Sequence, residues 1–212
     1  MRDNHFKAII FDLGNVLIDF DHTIAARKIS SLTTRTPKEI FNLFFDSELT
    51  GLFEEGKISP RDFHLEVKKT LNLELNYADF IPIWNEIFFF TEKNRAVYNL
   101  ARTLKSYYKT ALLSNINILH FEYLKNNFPI FDAFHHIIVS FEVGLKKPNP
   151  LIYQKALGIL GVLPQEVFYT DDRAELVKKA SELGITSFCF EGIDKLNEDL
   201  SSAGINKNKL KN

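Results

Sequence analysis

The chain has 212 residues, 45% of them hydrophobic and 25% charged, and its 26 Lys and Arg against 27 Asp and Glu leave a formal charge of −1. That length accommodates one full domain plus an insertion, with a core that needs no disulfide or metal staple. Balanced charge excludes the clustered basic excess that marks nucleic-acid binders, so no nucleic-acid partner is expected. The single cysteine, Cys189, cannot close an internal bridge and reads as a small buried hydrophobe, which points to a reducing compartment. Residues 1–7 mix polar and charged types without the regions of a signal peptide, and no uncharged apolar stretch approaches the ~20 residues that span a bilayer. A cytoplasmic protein with no membrane partner is expected, as a monomer or weak homodimer.

Residues 7–11 form a short apolar run that ends at Asp12 and Gly14, the pattern of a buried strand delivering a polar turn. From about Phe20 to Leu104 the pattern is helical, with no strand expected between successive helices. Thr36-Pro37-Lys38-Glu39 and Ser59-Pro60-Arg61-Asp62 each place Pro in a first helical turn. Strands are then expected at 110–113, 136–140, 167–169 and 185–190, alternating with helices around 118–126, 149–160 and 174–183. Residues 191–212 are rich in Asn, Lys and Ser with few large apolar residues after Leu200, which predicts a short helix and then a frayed end. Alternation of this kind predicts an α/β fold, a doubly wound parallel sheet covered on both faces. Residues 1–18 and 96–212 make the core domain, and residues 19–95 an α-helical cap inserted after the first strand.

In an open parallel sheet, ligands sit outside the carboxyl ends of the strands. Four polar clusters follow strand-like runs: Asp12-Leu13-Gly14-Asn15, Ser114-Asn115, Lys146-Lys147-Pro148 and Asp171-Asp172. Singly they read as a helix cap, a turn, a solvated surface and a helix start. Together they bring three carboxylates, a hydroxyl and an amine to one edge, enough to bind a divalent cation and a phosphate.

These motifs, in this order, resemble the haloacid dehalogenase-like hydrolase superfamily. The resemblance extends to its small bacterial sugar-phosphate phosphatases of the α-D-glucose-1-phosphate type, whose first motif is matched by Phe11-Asp12-Leu13-Gly14-Asn15-Val16. Leu112-Leu113-Ser114-Asn115 resembles the second motif, and Gly144 to Pro150 with Ile152-Tyr153 the third. Phe168 to Glu175 resembles the acidic fourth. The resemblance implies a Mg²⁺-dependent phosphomonoester hydrolase acting through an aspartyl phosphate on a small phosphorylated substrate. Asp12 is then the nucleophile, and Asp12, the Gly14 carbonyl and Asp172 hold the metal with Asp171 in support. Ser114, Asn115 and Lys147 bind the phosphoryl group, and Ser114 and Lys147 take part in catalysis.

Relatives commonly carry a second Asp two residues after the nucleophile, as proton donor to the leaving group; here Gly14 stands there. Asp19, Asp21, His22 or a cap residue are the candidates to replace it, and easier leaving groups, such as anomeric or aryl phosphates, are expected to be favoured. A metal-independent haloacid dehalogenase and a catalytically impaired phosphate-binding protein are the alternatives. Leu176 stands where relatives often have Asn.

Within the cap, Phe44, Phe45, Leu52, Phe53, Trp84 and Phe88 to Phe90 are expected to form core, and Glu54, Arg27 and His22 are candidate substrate contacts. Gly51 to Ile58 nearly spells a nucleotide phosphate loop, but Ile58 stands where a hydroxyl is needed and helices bound it on both sides. The pair His135-His136 points to opposite faces of a strand and lacks further ligands at metal spacing.

Overall fold

The computed structural model describes residues 5–45 and 47–205. Its centre is a five-stranded parallel sheet in the order β5-β4-β1-β6-β7. These strands are β1 (Ala8–Phe11), β4 (Lys109–Ser114), β5 (His136–Val139), β6 (Val167–Asp171) and β7 (Thr186–Cys189). β1 is apolar at every position because it is covered on both sides. Ala8 and Ile10 face one core cluster, with the helices α9 (Pro150–Leu160) and α10 (Ala174–Glu182). Ile9 and Phe11 face the other, with α6 (Glu92–Lys105), α7 (Ile118–Asn127) and α11 (Ile193–Ser202). A period of two thus feeds two cores from one strand.

Five helices separate β1 from the rest: α1 (His22–Ser30), α2 (Pro37–Phe45), α3 (Glu48–Glu54), α4 (Pro60–Leu71) and α5 (Tyr77–Asn85). Their boundaries follow local chemistry. Thr36 and Glu39 bond reciprocally around Pro37, and Ser59 accepts from the Asp62 amide at 3.2 Å ahead of Pro60. Phe44, Phe53, Phe63, Phe80 and Trp84 pack into a core of this segment's own. Each such burial contributes about 1.5–3 kcal/mol.

Two expectations fail here. The helical stretch contains β3 (Phe88–Phe89), antiparallel to β2 (Asp19–Phe20), with Asp19 opposite Phe89 and Phe20 opposite Phe88. Strands of two residues have no period to read. Phe45 and Phe89 are exposed at 46% and 43%, so the aromatic run is only partly core. Elsewhere Ser140 begins the short helix α8 (Ser140–Val143) rather than closing β5, and β6 extends through Asp171. Cys189 is only partly buried, with its thiol 3.6 Å from the Asp172 carbonyl. The short helix at the C-terminal end is α11; residues 206–212, expected to fray, lie outside the described residues. No helix among the described residues is long and apolar enough to cross a membrane.

Candidate active site

Asp12 directly follows β1, Ser114 ends β4, Asp171 ends β6, and Lys147 lies on the loop between α8 and α9. The parallel register therefore delivers the first three to the carboxyl edge of the sheet, and the loop brings Lys147 to them. Lys147 is their hinge-pin: Nζ donates to Asp12 Oδ1 at 2.7 Å and to Asp171 Oδ2 at 2.6 Å, with both carboxylates and the ammonium buried. Asp171 also accepts from the Tyr169 hydroxyl and, through Oδ1, from the Arg173 amide at 3.0 Å. Asp172 accepts from Asn15 Nδ2 at 2.8 Å. Among the described residues, Asp12, Asp171 and Asp172 form the one cluster of metal-ligating types, each with an oxygen within 4.8 Å of the others. His135 takes no part; its Nδ1 accepts from the Thr110 amide.

Electrostatics match this crowding. Burial pushes the Asp12 carboxyl up, Lys147 pulls it down, and Asp171 and Asp172 push it up again, leaving it well above the ordinary range. Burial also raises Asp172, against the hydrogen bond from Asn15. Burial opposes the Lys147 ammonium, but attraction to Asp12 and Asp171 holds its pKa above the usual lysine value. Three carboxylates opposed by one ammonium leave two uncompensated negative charges, and an all-oxygen donor set of that charge fits a hard divalent cation.

Asn115 differs from expectation. Its Oδ1 accepts from the Lys147 amide at 2.7 Å and its Nδ2 donates to the Lys147 carbonyl at 2.8 Å. The side chain is thus a clamp that aims Lys147, and only its backbone is left to meet a substrate. Ser114 is buried, with Oγ 3.5 Å from the Asn115 carbonyl.

Position 14 is closed as well as bare. A Cβ on Gly14 would lie 2.8 Å from Phe20 Cε1, so the aromatic ring of β2 occupies the space a side chain needs. Of the candidates for a replacement proton donor, Asp19 is bound to Lys93 at 2.6 Å and to Asn94 at 3.2 Å. Asp21 caps α1, and its bond from Thr23 holds its carboxyl below the usual range. Burial pushes His22 down to about 4, among Phe20 and Phe45. Arg27 lines an outer cleft of about 320 Å³ with Pro37 and Phe41, away from the carboxylates. Lys146, read as surface, has a side chain 38% exposed and lies 3.7 Å from Glu54.

Sequence reasoning overlooked Asn15 and Tyr169 as supports. Asn15 sits at φ 56°, a conformation that Asn tolerates better than most residues, and this turns its amide onto Asp172. Tyr169 precedes Asp171 by two positions on one strand, so the two share a face, a period-two signal that was present in the sequence.

The family profile described as haloacid dehalogenase-like hydrolase matches residues 6–184. The D-ribitol-5-phosphate phosphatase of Bacteroides thetaiotaomicron is 25% identical over 188 residues, covering 86% of this chain and 90% of that protein. The glyceraldehyde 3-phosphate phosphatase of Pyrococcus furiosus is 30% identical over 176 residues, covering 79% of this chain and 72% of that protein. Among solved structures, a family enzyme from Bacteroides thetaiotaomicron in complex with magnesium and inorganic phosphate superposes with a TM-score of 0.77. It is 25% identical, covering 87% of this chain and 93% of that one. The ordered motifs, the carboxylates at the sheet edge and these likenesses agree: the chain is an enzyme of the haloacid dehalogenase-like hydrolase family.

Proposed function

We propose that the protein is a Mg²⁺-dependent phosphomonoesterase that works through an aspartyl phosphate on Asp12 and takes a small sugar or polyol phosphate. The observation that carries this reading is the buried Lys147 ammonium strung between Asp12 and Asp171 beside Asp172, a site short of two positive charges. Asp12, Asp172 and the Gly14 carbonyl would hold Mg²⁺, which when bound offsets charge on the phosphoryl oxygens. Asp171, spent on Lys147, Tyr169 and the Arg173 amide, supports the site from behind.

In the first step an Asp12 carboxylate oxygen attacks phosphorus, and the bond to the leaving-group oxygen breaks with its electron pair. Lys147 and the donors around Ser114 draw the phosphoryl oxygens, stabilising the charge that moves through them. Water then attacks the same phosphorus, its proton passing to solvent, and the bond to Asp12 breaks to free phosphate and the carboxylate. Position 14 gives the leaving group no proton. Residues 19–95 serve as a cap that shields the aspartyl phosphate from bulk water. The phosphatase relatives, named for a pentitol and a triose phosphate, support a small phosphorylated substrate.

The test is phosphate release from p-nitrophenyl phosphate and a panel of sugar phosphates, with Mg²⁺ or with EDTA, for wild type and Asp12→Asn. Turnover that needs both the metal and Asp12 is expected. Folded wild-type protein that releases no phosphate from any member would overturn the reading, and metal-independent halide release from a 2-haloacid would replace it with the dehalogenase.

A further inference from the structure

Glu54 closes α3, the helix of this segment that packs on α8. Its side chain is half-buried, and its carboxylate pairs with Lys146 Nζ at 3.7 Å, with side-chain exposures of 27% and 38%. That separation is longer than a good hydrogen bond, so the two make a loose ion pair with room between them. Burial raises the Glu54 carboxyl, against the positive charges of Lys146 and Arg173.

Its surroundings belong to the loops that build the active site. Lys146 precedes Lys147, and Arg173 follows Asp172. Ser140 Oγ donates to the Glu54 carbonyl at 2.5 Å while accepting from the Ile116 amide at 2.9 Å, which ties Glu54 to the loop after Ser114 and Asn115. The turn behind it is seated without slack. Gly56 has φ +65°, and a Cβ there would stand 2.2 Å from the Phe141 carbonyl oxygen. Glu54 thus lies where three site-bearing loops converge, with acceptor capacity that no protein hydrogen bond among the described residues fills.

We propose that Glu54 and Lys146 form the leaving-group subsite and select esters whose leaving group carries hydroxyls, a sugar or polyol rather than a bare alkyl or aryl group. A carboxylate accepts from hydroxyl protons and an ammonium donates to hydroxyl oxygens, so neighbouring hydroxyls can bridge the gap that the two side chains leave open. A leaving group without hydroxyls would strand both charges, and sites built to bond a substrate hydroxyl discriminate strongly against analogues that lack it. This inference rests on the phosphatase reading.

The experiment compares wild type, Glu54→Gln and Glu54→Ala on p-nitrophenyl phosphate and on the sugar phosphate that wild type turns over fastest. The ratio of kcat/KM for the sugar ester to that for the aryl ester is expected to fall at least tenfold in both variants, mainly through KM for the sugar ester. An unchanged ratio, whether from parallel losses or from none, would overturn the proposal; should the Ala variant fail to fold, the isosteric Gln variant decides. If wild type releases no phosphate at all, the phosphatase reading falls separately. Calorimetry then decides on Glu54: with Mg²⁺ present, Glu54→Gln weakening glucose 6-phosphate but not inorganic phosphate supports the subsite, and any other pattern refutes it.

Discussion

Acidification should loosen the junction between the helical segment and the sheet through one histidine. His120 on α7 is buried, stacked on the Trp84 ring at 4.8 Å and 15°. Its Nε2 lies 3.0 Å from the Trp84 carbonyl, which can only accept, so Nε2 carries the proton and Nδ1 accepts from Asn117. Burial pushes its pKa down to about 3, helped by His22 and opposed by the Trp84 bond, from an ordinary value of 6.5. The folded ring stays neutral where the unfolded one takes up a proton. Its contribution to stability is therefore present above pH ~6.5 and lost as pH falls toward the folded value. Between about pH 7.5 and pH 5 the unfolded state gains roughly 1.5 units of protonation work at 1.36 kcal/mol each, or about 2 kcal/mol. Urea unfolding at those two pH values, for wild type and His120→Gln, isolates this term, because the carboxylates titrate in both proteins. The variant should be less stable at neutral pH but lose about 2 kcal/mol less on acidification. Parallel losses in the two proteins would refute the assignment.

Four further outcomes are expected. Lys147→Ala leaves Asp12 and Asp171 buried without their shared cation; it should cost about 3–5 kcal/mol by denaturation and abolish phosphate release. Mg²⁺ at about 100 times its Kd should stabilise wild type by roughly 2.7 kcal/mol, or about 5–10 °C in Tm, and Asp172→Asn should shrink that shift. Gly14→Ala must displace the Phe20 ring at a cost of about 1–3 kcal/mol; combining it with Phe20→Leu should recover much of the loss, and simple additivity would argue against the clash. Because position 14 offers no proton, kcat should fall as leaving-group basicity rises from aryl through anomeric to primary alkyl phosphates, and a flat series with chemistry rate-limiting would contradict this.

The sheet was legible because buried parallel strands write themselves as apolar runs, and Asp12, Ser114 and Asp171 were legible because each lies where such a run ends, whereas Lys147, past α8, stood out through the motif around Pro148. What stayed hidden depends on side-chain direction. The Asn115 amide could as well have faced a ligand as the Lys147 backbone, and only the relative placement of the loops after β4 and α8 decides. Lys146 looked like solvated charge because its neighbour Glu54 is distant in sequence. β2 and β3 left no trace, since two residues carry no periodicity and their pairing is a contact between the ends of the helical segment.

That small antiparallel ladder has a mechanical consequence. The chain leaves for the helices at Asp19–Phe20 and returns at Phe88–Phe89, side by side, so both covalent tethers of α1–α5 lie along one line. Every other link to the sheet described above, from Ser140 to Glu54 and from His120 to Trp84, is non-covalent and separable. Any swing of the five helices must therefore turn about this line as an axle. Phe20, lying on it, would hardly leave Gly14, while the Ser140–Glu54 bond, which lies off that line, would have to open.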